Sequence, residues 1–569
     1  MKKKSRSIII PAFALGLALL YLLAVRRKAG IYFDTNDDRI LTEILAGVIS
    51  HRPEAHTVYM NSLLAFPISA LYRISVNIPW YGGCLILFHW AAYGFMLESA
   101  CSRCRSVIEF LMVTLTFVML FFSGMCLLAQ IQYTSTSALL AIAGYVCLTL
   151  NRDCAKGTLY FILFELLSIL LRQDAMLMIQ PYGLALCLGL ILTKAGWNLR
   201  EKIKAFGGLL LIVLSLYFLC VSANLLLYHG TPWKDYKQST KMVEELFDYH
   251  GTPKYSDVKD ILDRYQVSES AYLSYCAGTV MNWDISVECA KELAFYAKEH
   301  ETGRRSGRDV ANALIRHFFQ ENHWDMNKLA WMTTLMLLLY SIICKKFYLV
   351  LPVLGLSTAR TLIWSYLLWR GRHPNRVILP LFVCETAFVL ALFLYDFTET
   401  VPRKGRKTLF PKLLLLLGCV LFCRSGFLAG KAQYYYTAKE NAGKQAFMNG
   451  MWELQEYCST HPDNKYLIES LSLSYYTGSA LEPRTALPRN SIVTGCWYSN
   501  SPPMRRRLKN YLDGAEEISL ILYQDGSYEN HPVVRYISEL CSSPPIWTED
   551  LTLSHGGRYT VYRYELPGK

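Results

Sequence analysis

Residues 8–25 read IIIPAFALGLALLYLLAV, residues 26–28 read RRK, and residues 31–43 read IYFDTNDDRILTE. The first stretch is apolar and long enough to cross the ~30 Å hydrocarbon core of a bilayer. Arg26-Arg27-Lys28 closes it without a small-residue cleavage site, so it reads as an uncleaved membrane span and not as a signal peptide. The third stretch gathers Asp34, Asp37, Asp38 and Glu43. Ile40, Leu41, Ile44, Leu45 and Val48 then recur at helical spacing. That pattern predicts an amphipathic helix lying on the membrane, with Asp37 and Asp38 at its N-terminus.

The same apolar signature recurs along the chain. Of 569 residues, 53% are hydrophobic and 18% charged, against about 45–50% and 25% in soluble domains. The excess lies in runs near 7–25, 81–98, 107–128, 134–150, 158–171, 175–193, 207–227, 329–344, 347–368, 376–396 and 409–428. This predicts a polytopic α-helical membrane protein with about eleven transmembrane helices, and excludes a soluble enzyme, a disordered regulator or a fibrous protein. Segment 57–74 is apolar but short and carries Asn61, Pro67 and Arg73. It reads as a re-entrant or surface helix.

Charge supplies the orientation. The net charge is +13, from 58 Lys and Arg against 45 Asp and Glu. In a soluble chain this would suggest nucleic acid. Here the clusters flank apolar runs, so no nucleic-acid partner is expected. With the N-terminus cytoplasmic and 57–74 not crossing, Arg103/Arg105, Arg152/Lys156, residues 194–204, Lys345/Lys346 and residues 403–407 all fall inside, as the positive-inside pattern requires. Four units follow: an N-terminal bundle over 1–227 that includes the acidic loop 26–80, an extracytoplasmic helical insert over 228–327, further membrane helices over 328–428, and an extracytoplasmic mixed α/β domain over 429–569. In the tail, residues 438–457 read as a helix. Residues 491–496, 518–523 and 559–564 read as strands.

The acidic loop carries the chemistry. An alcohol attacking an activated sugar must lose its proton, and a carboxylate in hydrogen-bond reach serves as the base. A second carboxylate raises the pKa of the first, or joins it in holding a divalent metal ion. The structural alternative is a helix cap, since Thr35-x-x-Asp38 fits a capping box. A cap needs one such residue and the loop offers several.

At these residues the chain resembles the GT-C glycosyltransferases. Asn36-Asp37-Asp38-Arg39, followed by Pro53, His56, Asn61, Leu71-Tyr72 and Trp80-Tyr81, is similar to uncharacterised polytopic proteins of Firmicutes with this organisation. The resemblance implies a plasma-membrane enzyme that transfers a sugar from a polyprenyl-phosphate carrier to a glycan, lipid or protein acceptor on the outer face. It also implies that Asp37 and Asp38 match the family's loop acid, with either of them as the base. The pair here is Asp-Asp, where protein mannosyltransferases of this class have Asp-Glu, so the acceptor type stays open.

A lipid-phosphate donor calls for cations, and arginine offers a rigid bidentate fork. Arg172 and the segment Arg370-Gly371-Arg372-His373-Pro374-Asn375-Arg376 sit against the charge rule, at outer span ends. Arg172, Arg370, Arg372 and Arg376 are therefore candidate substrate-binding residues, with Asp34 and Gln132 beside them. The alternatives are arginines snorkelling to generic headgroups and an internal Arg172–Asp174 pair. If the reading is right, the acidic loop and Arg370–Arg376 converge on one cavity. Glu98, Glu165 and Glu385 lie within spans and read as internal hydrogen-bonded groups. No P-loop, zinc-protease or hydrolase-elbow motif is present. Two competing functions are a flippase or transporter of lipid-linked saccharides, which would favour paired repeats and broken helices, and a cell-surface assembly protein, which has no use for the acidic loop.

Overall fold

The structure is a computed structural model that describes residues 3–152, 154–230, 232–278, 285–300, 306–320, 324–400, 409–469, 478–483, 488–495, 497–524, 531–554 and 557–567. The basic cluster at 403–407 lies outside the described residues. Among the described residues, nine helices are long and apolar enough to cross a membrane: Ile8–Ala29, Trp80–Arg103, Tyr133–Leu150, Ala155–Leu192, Leu199–Leu227, Asp325–Ile343, Phe347–Arg370, Asn375–Glu399 and Leu415–Gln445. The protein is a polytopic helical membrane protein with a small sheet domain at its C-terminus.

The difference between nine helices and eleven expected spans has two causes. Ala155–Leu192 has 38 residues, about 57 Å at 1.5 Å per residue, which is two bilayer crossings. It breaks at Arg172, whose backbone is extended (φ −158°, ψ 102°). The groups freed there find partners: the Leu170 carbonyl accepts from the Asn61 amide at 3.0 Å, and the Arg172 carbonyl accepts from Ser137 Oγ at 2.9 Å. The second cause is Val107–Ser123, an apolar helix of only 17 residues. Ser62–Ile74 has 13 residues, about 20 Å, and is too short to cross.

At one end of the bundle the helix ends are tied by ion pairs. Arg103 pairs with Glu399, Lys156 with Glu98 at 2.6 Å, and Lys346 with Asp396 at 2.5 Å. Glu165 accepts from Gln180 at 3.0 Å. Glu385 is held by Arg360 and by the Tyr182 hydroxyl. The three carboxylates read as internal thus all have internal partners.

The opposite end carries the acidic loop, the insert and the tail. The tail begins differently from the expected separate helix over 438–457. One helix of 52 residues, Leu409–Thr460, runs from the membrane into the sheet domain. Glycines let it pack tightly: a Cβ at Gly430 would stand 2.2 Å from the Phe122 ring. Beyond residue 430 the face is polar but still helix-forming, so hydropathy changes while the backbone does not.

The short strands β1 (Tyr32–Phe33) and β2 (Gln130–Ile131) pair in parallel. The tail sheet comprises β3 (Tyr466–Glu469), β4 (Ser491–Thr494), β5 (Glu517–Tyr523), β6 (Trp547–Thr552) and β7 (Arg558–Glu565), in spatial order β4-β3-β5-β7-β6. β3 is parallel to β4 and β5, and β7 is antiparallel to β5 and β6. The sequence pattern predicts β4, β5 and β7. It misses β3, a short strand buried on both faces, and β6, an exposed edge strand without apolar alternation. A common apolar core joins Ile44 and Ile49 of the acidic-loop segment to Tyr236, Leu246 and Leu293 of the insert and to Tyr498, Ile518 and Leu520 of the tail.

Candidate functional site

The acidic loop is clamped from three sides. β1 pairs with β2, and it also meets the tail, where the Phe33 amide donates to the Gly478 carbonyl at 3.1 Å. The long helix supplies the third contact. Lys444 Nζ donates to the carbonyls of Phe33 and Asp34 at 2.8 and 3.1 Å. Asn441 Nδ2 donates to those of Ala29 and Ala129 at 2.9 and 3.1 Å. At Gly82 a Cβ would stand 1.7 Å from the Ala480 carbonyl oxygen, so the second span and the tail touch backbone to backbone. A loop fixed in this way holds its side chains in place before any ligand arrives.

The loop helix Asn36–Ala46 starts at Thr35, whose side chain makes no capping hydrogen bond. The capping box is therefore absent, because Asp38 turns inward. Its Oδ1 accepts from the Tyr81 hydroxyl at 2.8 Å and from the Tyr133 amide at 3.0 Å. It is fully buried. Burial pushes its carboxyl well above the usual carboxylate range, against those two hydrogen bonds. Asp38 thus ties the loop to the helices Trp80–Arg103 and Tyr133–Leu150. Asp38→Ala leaves a buried hydroxyl and a buried amide without an acceptor and is expected to lower stability by about 2–4 kcal/mol. Asp38→Asn keeps an acceptor oxygen and costs much less. Thermal unfolding of the purified variants measures the difference.

Asp37, one residue earlier and about 100° round the helix, lines a cavity of about 330 Å³. Four separate parts of the chain build this cavity. Thr35, Asn36 and Asp37 come from the loop. Glu244 and Asp248 come from the insert, Arg372 and Arg376 from the turn before the helix Asn375–Thr400 and from its first turn, and Trp497 and Asn500 from the tail. Burial pushes the Asp37 carboxyl up, and Arg376 and then Arg172 pull it back without cancelling the rise. Among the described residues neither the Asp37 carboxylate nor the Arg376 guanidinium makes a hydrogen bond or ion pair.

The other predicted residues separate. Arg372 lines the cavity and pairs with Asp248 at 2.6 Å. Arg370 does not line it; its guanidinium lies over the Tyr249 ring at 4.0 Å. Arg172 stands behind the wall. It lies over Tyr59 and Tyr133 at 4.9 and 5.3 Å, donates to the Tyr133 hydroxyl at 3.2 Å, and pairs with Asp174 at 3.4 Å. Asp34 is also outside the lining; burial raises its carboxyl, while Lys444 and Arg376 oppose the rise. Gln132 is a helix cap, with its side-chain oxygen accepting from the amides of Thr134 and Ser135 at 2.7 and 3.3 Å. The cationic residues Arg26, Arg27 and Lys28 are exposed in the last turn of the first helix.

Sequence reasoning missed Tyr59, Glu244, Asp248, Tyr275 and Asn500, which line the cavity. Nothing local marks them, because their role comes from long-range packing. Among the described residues no group of three or more His, Cys, Asp or Glu side chains is placed to hold a metal ion. Among the described residues no disulfide joins the cysteines, Cys276, Cys289, Cys458 and Cys541 included.

No family model and no curated protein matches the chain. Among solved structures it is similar to ArnT from Cupriavidus metallidurans bound to undecaprenyl phosphate, with a TM-score of 0.37, 10% sequence identity and 97% of each chain covered.

Proposed function

We propose that the protein is an integral-membrane glycosyltransferase that moves a sugar from a polyprenyl-phosphate donor to an acceptor hydroxyl on the extracytoplasmic side. The observation that carries this reading is the meeting of Asp37 with Arg372 and Arg376 in one cavity at the acidic-loop end of the bundle. A carboxylate and paired guanidiniums are what such a transfer requires. Asp37 takes the proton of the acceptor hydroxyl. The acceptor oxygen forms a bond to the anomeric carbon, and the bond from that carbon to the phosphate oxygen breaks with its electron pair going to the phosphate. The arginines hold the charge that develops there. Displacement from the face opposite the phosphate inverts the anomeric centre. Asp38, buried and bonded to Tyr81 and Tyr133, positions the loop instead of touching substrate.

The direct test is release of polyprenyl phosphate and formation of glycoside by the purified protein in lipid nanodiscs, given polyprenyl-phosphate sugars and an envelope extract as acceptor. No turnover across a panel of neutral, amino and acidic sugars overturns the reading.

Its pH dependence has a definite sign. The base works ionised, so activity falls as pH drops through the pKa of Asp37. That pKa is raised by burial, so the acid limb of kcat/KM lies above the ~3.9 of an exposed aspartate. Arg376 is the first of the groups that pull it down. In Arg376→Gln the limb of the residual activity moves to still higher pH. A profile of kcat/KM against pH for both proteins checks each shift.

A further inference from the structure

The cavity wall carries three acids, Asp37, Glu244 and Asp248, and two arginines. Asp248 is neutralised by Arg372, and Asp37 stands in the field of Arg376. Glu244 is left over. It is half-buried at the end of the insert helix Trp233–Glu244, and among the described residues its carboxylate makes no hydrogen bond or ion pair. Burial pushes its carboxyl up, and Arg172 and Arg372 act on it only through space. A carboxylate withdrawn from water without a partner is costly, and a ligand hydroxyl offers what is missing.

The rest of the wall suits a sugar. Tyr59, Phe247, Tyr275 and Trp497 line the same space, and Tyr59 meets Trp497 edge to face at 5.0 Å. Aromatic faces take the C–H face of a pyranose, and Ser239, Thr240 and Glu244 offer polar atoms to its hydroxyl edge. With the donor phosphate at the arginines, the sugar attached to it projects into this part of the cavity.

Resting on the glycosyl-transfer reading above, we infer that Glu244 selects the donor sugar: it accepts hydrogen bonds from the hydroxyls of a sugar without an acid group and repels a sugar that carries a carboxylate. Glucose and glucuronic acid are a suitable pair because they differ only at that group. Binding of undecaprenyl phosphate, undecaprenyl-phosphate glucose and undecaprenyl-phosphate glucuronic acid is measured by competition in nanodiscs at pH 8. The wild type binds the glucosyl lipid about ten-fold or more tighter than the glucuronosyl lipid, because like charges brought together are strongly disfavoured. Glu244→Gln narrows that ratio to about two-fold, and Glu244→Asp, which keeps the charge, restores most of it. Equal binding of the two sugars by the wild type, or an unchanged ratio in Glu244→Gln, overturns the inference while leaving the donor reading in place. If the wild type binds none of the three lipids, the donor reading falls and the inference falls with it.

Discussion

Replacing Asp37 by asparagine lowers kcat for glycosyl transfer by about 10²–10⁴-fold, the contribution of a positioned general base. The change is nearly isosteric. The Asp37 carboxylate has no hydrogen-bond or ion-pair partner among the described residues, so no hydrogen bond is lost. Its raised carboxyl pKa means that the ionised form is disfavoured in the folded protein. Stability associated with such a group is present at low pH and lost as pH rises through its pKa. A neutral amide removes that loss, so the melting temperature at pH 7 stays level or rises. Single-turnover transfer and thermal unfolding of the same sample separate chemistry from folding. Retained transfer in Asp37→Asn sinks the assignment. Asp38→Asn is the matched control at the neighbouring position, where the acceptor oxygen toward Tyr81 and Tyr133 survives.

Arg376→Gln lowers kcat/KM for the donor by about 10²–10³-fold, the scale of losing one preorganised donor to a developing anion. Three features single this residue out. It lines the cavity, it has no ion-pair partner among the described residues, and it lies in the first turn of the helix Asn375–Thr400. The positive end of that helix's dipole adds to the potential where the phosphate would rest. Arg376→Lys recovers only part of the loss, because an ammonium cannot present the bidentate fork. Arg372→Gln has a smaller effect, because Asp248 already engages Arg372 and a phosphate must displace it. Donor titrations of the three variants give the order. An Arg376→Gln enzyme with unaltered kcat/KM removes the phosphate assignment.

Several parts of this arrangement are readable from residues alone, and the reason is the bilayer. A chain crossing hydrocarbon must satisfy its backbone by helix formation and cover it with about twenty apolar residues. All eleven expected spans therefore coincide with helices. The acidic loop is readable because four acids beside a span are expensive unless used or paired. Other parts leave no local mark. Gln132 reads as a substrate contact because glutamine is not a usual capping residue, yet it caps the helix Tyr133–Leu150. Arg370 and Arg372 look equivalent in sequence and both lie over Tyr249, and only the pairing of Arg372 with Asp248 at the cavity separates them. Glu244 lies more than two hundred residues from Asp37 and meets it through packing alone. The end of the last span is misread for a different reason. Hydropathy reports the lipid boundary, and helix Leu409–Thr460 continues past it.

That helix also acts as a mechanical ruler. Its middle, at Asn441 and Lys444, grips the loop that holds Asp37, while its far end carries the sheet domain that brings Trp497 and Asn500 to the same cavity. One residue inserted between those two points turns the sheet domain by about 100° around the helix axis, and four residues nearly restore the angle but lift the domain by about 6 Å. Neither brings both halves of the wall back into register. Between Gln445 and Thr460 the chain has a fixed length in the strict sense of a spacer, and changes in length belong in its loops.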